Sequence, residues 1–260
     1  MSTRSIHSIA IDLDGTLLKS PINGETEKKI SEDSKQILRK LDKMGVEIII
    51  CTGRMPSCVF PIIEKIGVNC SLVTFNGALA YSKLDKERER TIIYKQFLEG
   101  EMTNKIFNFA EKLGYSVNFY TDSVVYSICK DNKQKELIVK YIKLCSANYQ
   151  YIENYNEFKC KKAPKLAIMV PTNKVDSIYE KAKNTFGTEV HIILGNFFIE
   201  FLCANTNKAT GLCSLLKHLK IDVDKTVGIG DGNNDAEFLN FVGYGICMKN
   251  GSEKTKKLVF

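Results

Sequence analysis

The chain has 260 residues, 44% hydrophobic and 26% charged, with 37 Lys and Arg against 30 Asp and Glu for a net charge of +7. A chain of this length buries roughly 70–75% of its unfolded surface, so it needs no staples, and its composition excludes a disordered or fibrous protein. Nine Cys without a C-x-x-C pair, a first 20 residues without an apolar signal core, and apolar runs far short of the ~20 residues of a bilayer span predict a cytoplasmic protein with reduced thiols and no membrane partner.

Residues 8–13 form a short apolar run that ends in acids and reads as a strand. Residues 31–44 carry Ile37, Leu38, Leu41 and Met44 at helical spacing and stop at Gly45; the β-branched run 46–51 follows as a second strand. Pro56 opens another helix, with Val59, Ile62, Ile63 and Ile66 as its apolar residues, Gly67 ends it, and 71–75 is the next strand. Continuous apolar strands joined by helices predict a parallel sheet covered on both faces, with chemistry at the carboxyl ends of the strands. Residues 12–14 and 52–54 both fall there. From about 83 to 195 the texture changes. A hairpin (79–81 against 92–94), helices at 101–113, 133–145 and 174–184, and strands at 116–120, 124–129, 166–170 and 189–194 read as an inserted α+β domain. Residues 197–203 then lead back to a helix at 208–219, a strand at 226–230, a helix at 234–239 and a strand at 243–247.

The chemistry concentrates in Asp12-Leu13-Asp14-Gly15-Thr16-Leu17. Side chains alternate along an extended chain, so Asp12 and Asp14 can point the same way, and two like charges held close require a cation or a shared proton. Carboxylate oxygens with no His or Cys beside them suit Mg²⁺, its shell completed by water and a substrate phosphate. Taken alone, the same segment also reads as an Asp-Gly turn. Near the other end, Gly228-Ile229-Gly230-Asp231-Gly232-Asn233-Asn234-Asp235 again places acids after a β-branched run. If the two strands are neighbours, Asp231 faces the same cation and Asn234 can donate an amide hydrogen bond to phosphate. The glycines imitate a dinucleotide loop, but the third Gly is missing and acids stand where pyrophosphate would sit. Thr52-Gly53-Arg54 offers a hydroxyl and backbone N–H groups, and Lys208 opens a helix with a compact positive charge, which together complete an anion site. His7, His191 and His218 lie outside every motif, leaving His-based hydrolysis unsupported.

In this order, Asp-x-Asp-Gly-Thr, a Thr after the second strand, a later Lys and Gly-Asp-x-x-Asn-Asp make the chain resemble the haloacid dehalogenase (HAD) superfamily. More narrowly it resembles the Cof-type sugar phosphatases, through residues 11–18, Thr52-Gly53-Arg54, Asn76-Gly77-Ala78, Asn207-Lys208-Ala209-Thr210-Gly211-Leu212 and Gly230-Asp231-Gly232-Asn233-Asn234-Asp235. The resemblance implies an α/β fold class: a Rossmann-like doubly wound parallel sheet as hydrolase core (1–82 and 196–260) with an inserted α/β (α+β) cap domain (83–195). It implies a Mg²⁺-dependent phosphatase in which Asp12 is the nucleophile forming an aspartyl-phosphate and Asp14 the general acid, then base. Asp12, Asp14 and Asp231 would surround the metal. Leu13, Thr52, Gly53, Lys208 and Asn234 would hold the phosphate, with Asp235 orienting Lys208 or a metal-bound water. Two departures stand out. Met248-Lys249-Asn250-Gly251 replaces the usual Met-Gly-Asn-Ala, and the sequence stops at Phe260, before a final segment that many relatives carry; weakened stability or dimerisation is the expectation.

The expected partner is a small phosphorylated metabolite, sugar phosphates foremost, with the protein a monomer or weak homodimer. Residues 83–195 carry 19 Lys and Arg against 14 Asp and Glu, a balance that favours anionic metabolites. The basic residues are scattered, the densest cluster being Lys159, Lys161, Lys162 and Lys165, so no nucleic-acid partner is expected. Other readings of the same scaffold are a phosphomannomutase-like phosphotransferase, a phosphonate hydrolase with a Schiff-base lysine, and a non-catalytic metabolite sensor, the last disfavoured by the intact Asp12 and Asp14.

Overall fold

A computed structural model describes residues 5–19 and 29–259. The chain runs β1 (Ser8–Ile11), α1 (Glu32–Lys43), β2 (Glu47–Cys51), α2 (Pro56–Ile66), β3 (Ser71–Thr74), β4 (Leu79–Tyr81) and β5 (Ile92–Lys95). It continues through α3 (Gly100–Lys112), β6 (Val117–Tyr120), β7 (Val125–Ser127), α4 (Asn132–Cys145), β8 (Tyr149–Tyr151), β9 (Leu166–Met169), α5 (Val175–Phe186), β10 (Val190–Leu194) and β11 (Phe198–Cys203). It closes with α6 (Lys208–Leu219), β12 (Thr226–Gly230), α7 (Ala236–Phe241), β13 (Tyr244–Cys247) and α8 (Glu253–Leu258).

These elements form two compact units, the first from the described residues within Met1–Gly53, Val59–Lys95 and Asn207–Phe260. Its sheet has the order β13-β12-β1-β2-β3-β4-β5. The first five strands of that order are parallel, and β4 and β5 are antiparallel additions. The strands β1, β2 and β3 are buried almost throughout, as in a parallel sheet with helices on both faces. Ile11 lies opposite both Ile229 and Ile50, and Cys51 opposite Val73. That register brings the segments following β1, β2, β3 and β12 to one edge of the sheet.

Local chemistry fixes the helices beside this edge. Ser31 caps α1 by accepting from the Ser34 N–H at 3.2 Å, Glu32 and Asp33 occupy the first turn and Lys40 and Lys43 the last, matching the helix dipole. Asn207 caps α6 by accepting from the Thr210 N–H at 3.0 Å, while Thr210 Oγ1 accepts in return from the Asn207 N–H at 3.1 Å. The α6 residues Leu212 and Leu215 are fully buried against Ala10, Ile49 and Val73 of the sheet, each worth roughly 1.5–3 kcal/mol relative to exposure. This packing anchors the helix whose first residue is Lys208.

The second unit comprises Arg54–Cys58 and Gln96–Thr206. Its sheet has the order β10-β11-β9-β6-β7-β8, antiparallel except for β7 with β8. One face carries Val117, Phe119, Leu166, Ile168, Ile199 and Phe201 into an apolar cluster with residues of α3 and α5. The pairing settles two segments that periodicity alone assigns differently: β5 lies within 83–195 yet joins the first sheet, whereas β11 lies outside that span and joins the second. Strand β8 and helix α8 are not foreshadowed in the sequence, since Tyr149–Tyr151 is three residues with a polar centre and Glu253–Leu258 has no apolar stripe. Among the described residues, no helix is long and apolar enough to cross a membrane.

Candidate active site

Asp12 follows the last residue of β1 and is 5% exposed, its backbone N–H held by the Ile229 carbonyl at 2.9 Å. Lys208, 1% exposed, donates to Asp12 Oδ1 at 2.6 Å and to Asp235 Oδ1 at 2.5 Å. Asp235 is fully committed: its Oδ2 also accepts from the Asp231 and Gly232 N–H groups at 2.8 and 2.7 Å, which closes the turn after β12. Asp231 Oδ1 accepts from Thr16 Oγ1 at 2.6 Å, and its Oδ2 from Asn250 Nδ2 at 3.2 Å. Asn250 Nδ2 also reaches the Gly15 carbonyl at 2.9 Å, so the Met248-Lys249-Asn250-Gly251 departure still supplies an amide to the site.

The electrostatics are lopsided. Burial pushes the Asp12 carboxyl up to about 7, Lys208 opposing the rise and the Asp235 charge adding to it. Burial likewise raises Asp231, against the hydrogen bond from Thr16. On Lys208 burial works against the charge, but Asp12 and Asp235 together outweigh it and hold the ammonium above the ordinary lysine range. Oxygens of Asp12, Asp231 and Asp235 lie within 4.8 Å of one another, and one ammonium does not neutralise them. An all-oxygen donor set with surplus negative charge fits a hard divalent cation. Asp235 is fully buried and accepts three hydrogen bonds, whereas Asp231 accepts one on each oxygen and is half-buried and Asp12 has the Lys208 ammonium on Oδ1, so Asp12 and Asp231 are the members of this group best placed to face one. Asp14, half-buried two residues beyond Asp12, is not in the group.

Besides Lys208, the predicted phosphate-holding residues lie in the segments that follow β1, β2 and β12. Leu13 is buried at the turn after β1, and its carbonyl accepts from the Thr16 and Leu18 N–H groups at 3.3 and 2.7 Å. Thr52 is 1% exposed after β2, with its N–H on the Val73 carbonyl at 2.8 Å; Gly53 follows, half-buried. Asn234 sits in the turn after β12 and donates Nδ2 to Asn76 Oδ1 at 2.8 Å. Arg54 belongs to the second unit, where its guanidinium donates to the Leu144 and Cys145 carbonyls at 3.4 and 3.5 Å, at the C-terminal end of α4.

Thr16, Asn76 and Asn250 join the site without a role foreseeable from the sequence. Thr16 and Asn76 stand inside motifs whose other members carry the obvious chemistry, and Asn250 lies far along the chain from the residues it touches. Gly15 has φ +89°, and a Cβ there would stand 2.2 Å from Asp231 Oδ2, so this glycine is required both by its backbone and by the acid packed on it.

Among known proteins, the model of the family described as haloacid dehalogenase-like hydrolase matches residues 9–259. Phosphatase YwpJ of Bacillus subtilis (strain 168) is 26% identical over 278 residues, covering 96% of this chain and 92% of that protein. From the same organism, 5-amino-6-(5-phospho-D-ribitylamino)uracil phosphatase YitU is 24% identical over 258 residues, covering 96% and 89%. The solved structure of the HAD subclass IIB sugar phosphatase BT4131 matches with a TM-score of 0.78 at 19% identity, covering 97% of this chain and 91% of that one.

Proposed function

The chain belongs to the haloacid dehalogenase-like hydrolases and is a phosphatase, and from that premise we propose that it hydrolyses small sugar- and polyol-phosphate esters with Mg²⁺, through an aspartyl-phosphate on Asp12. The observation that carries this reading is the clamp on Asp12: a buried carboxylate at a strand end, with Lys208 on one oxygen at 2.6 Å and a group of acids around it.

Asp12, Asp14 and Asp231 would hold Mg²⁺, which supplies charge neutralisation of the phosphate oxygens when bound. Lys208 holds Asp12 in place and offsets its repulsion of an anionic ester. An oxygen of Asp12 attacks phosphorus, the P–O bond to the alcohol breaks, and Asp14 gives the departing oxygen its proton. Asp14 then takes a proton from water, whose oxygen attacks phosphorus, and the P–O bond to Asp12 breaks, releasing phosphate. Leu13 N–H, Thr52, Gly53, Lys208 and Asn234 hold the phosphate oxygens through both steps. The 83–195 insert, basic in balance, would choose among leaving alcohols.

A panel of sugar phosphates, polyol phosphates, nucleotides and pyridoxal phosphate is expected to show Mg²⁺-dependent phosphate release, fastest with the sugar and polyol esters. Release unaffected by a chelator, or isomerised product without free phosphate, would refute the proposal. Gly15→Ala tests the metal site separately: strain at φ +89° and the displaced Asp231 side chain are expected to weaken Mg²⁺ binding by about 10–100-fold, the usual scale for disturbing a ligand's support. Calorimetric titration of Mg²⁺ into the wild type and the variant measures it; equal affinities would remove Asp231 from the metal site.

A further inference from the structure

Immediately after β3 the backbone does something unusual: Phe75, Asn76 and Gly77 have φ values of 50, 53 and 102°. Left-handed backbone is strained for a non-glycine residue, least for Asn, and persists where the surroundings enforce it. All three residues are buried, and each face of the turn meets a different part of the site. The Asn76 N–H donates to the Thr52 carbonyl at 3.0 Å. The Asn76 amide lies against Gly53, so closely that a Cβ there would stand 2.8 Å from Oδ1 and 3.0 Å from Nδ2. Asn76 Oδ1 accepts from Asn234 Nδ2 at 2.8 Å. A Cβ on Gly77 would stand 1.9 Å from the Asn207 carbonyl, so the turn also abuts the residue that precedes Lys208.

We propose that Asn76 is the positioning residue of the phosphate cradle, holding the Asn234 amide and the Gly53 backbone in the register that receives a phosphoryl group. The inference rests on the reading of Gly53 and Asn234 as phosphate-holding groups. A backbone turn alone would be served more cheaply by glycine, the residue that adopts left-handed backbone without cost; what Asn adds is its side chain. A primary amide has two N–H donors and one carbonyl oxygen. With one N–H of Asn234 tied to Asn76 Oδ1, the amide cannot turn its own oxygen that way without setting two acceptors against each other. Its second N–H is thereby kept available for an anion. The same side chain fills the space beside Gly53, which fixes that backbone amide.

Asn76→Gly keeps the left-handed turn and deletes only the side chain. In the full-length protein, with p-nitrophenyl phosphate as substrate, it is expected to raise the inhibition constant of inorganic phosphate about tenfold, the scale of one lost hydrogen bond. Asn234→Ala is expected to do the same. The double variant should be no worse than Asn234→Ala alone, because the two residues act as one unit. An unchanged constant for Asn76→Gly, or additive effects in the double variant, would overturn the inference. A second measurement needs neither a variant nor turnover: inorganic phosphate titrated into the isotopically labelled wild type with Mg²⁺ is expected to shift the Asn234 side-chain amide signals. No shift there would also overturn it. Absence of phosphate release by the wild type from any ester would instead refute the phosphatase reading, leaving the titration to decide on Asn76.

Discussion

Replacing Asp12 with Asn is expected to lower phosphate release by at least about four orders of magnitude, the scale of removing an enzyme's nucleophile, while leaving the protein folded and at least as heat-stable as the wild type in the absence of metal. The two halves of the expectation come from one arrangement. Asp12 is buried, and its charge is opposed by Asp235 as well as by its burial, so the neutral isostere relieves a repulsion that folding tolerates for the sake of reactivity. Lys208 keeps its second carboxylate partner, Asp235, and is not left uncompensated. Calorimetric melting and initial rates on the same preparation test both halves; turnover within tenfold of the wild type would end the nucleophile assignment. Asp14→Asn should behave differently. With p-nitrophenyl phosphate, whose leaving group departs without a proton, a burst of nitrophenolate followed by slow turnover is expected, because the first transfer proceeds and the water step lacks its base. A variant that binds Mg²⁺ as the wild type does and still gives no burst would place Asp14 outside the acid–base role.

Lys208→Met is expected to damage both stability and activity. The ammonium lies between two buried carboxylates at 2.6 and 2.5 Å, and deleting one member of a buried charge network leaves its partners unpaired, at a cost of about 3–5 kcal/mol. The phosphoryl-transfer rate is expected to fall by about two to three orders of magnitude as well, the range measured for losing one preorganised electrostatic contact. Urea unfolding reads the first effect, and rates extrapolated to saturating substrate read the second. Mg²⁺ is expected to recover part of the lost stability by taking over the compensation of Asp12. Equal denaturation midpoints for variant and wild type would show that the clamp is unimportant to the fold.

Asp12 and Asp231 were legible because each stands directly after a strand, and Asp14 and Asp235 because they follow within the same short segments. Lys208 could be placed at the start of a helix from the order of the motifs, but its 2.6 and 2.5 Å ties to Asp12 and Asp235 depend on how α6 packs, which periodicity does not encode. Asn76 was legible only as part of a motif. Asn76-Gly77 is a pair that favours positive φ, but nothing in the sequence announces that Phe75 joins it, since a Phe in that conformation runs against its own preference. In the fold, the parallel sheet followed from continuous β-branched runs, whereas the sheet membership of β5 and β11 is set by antiparallel partners remote in sequence or by hairpin closure. Alternation within those strands is the same whichever sheet they join.

The position of β1 has a consequence for the order in which the protein is made. One flank of the strand is served early by β2, as Ser8 meets Glu47, but the other waits for β12, where Ser8 lies opposite Thr226. Between emergence of the two partners the ribosome must add most of the chain, a delay of about ten seconds or more at typical synthesis rates of roughly 5–20 residues per second. Throughout that interval the hydrogen-bonding flank of β1 awaiting β12 is a template for any passing strand. The sequence separation also places this pairing among the slow, non-local events of folding. Phosphatase activity is therefore expected to be the last property a nascent chain acquires, well after its first helices have formed, and chains stalled before residue 226 to be the ones that aggregate.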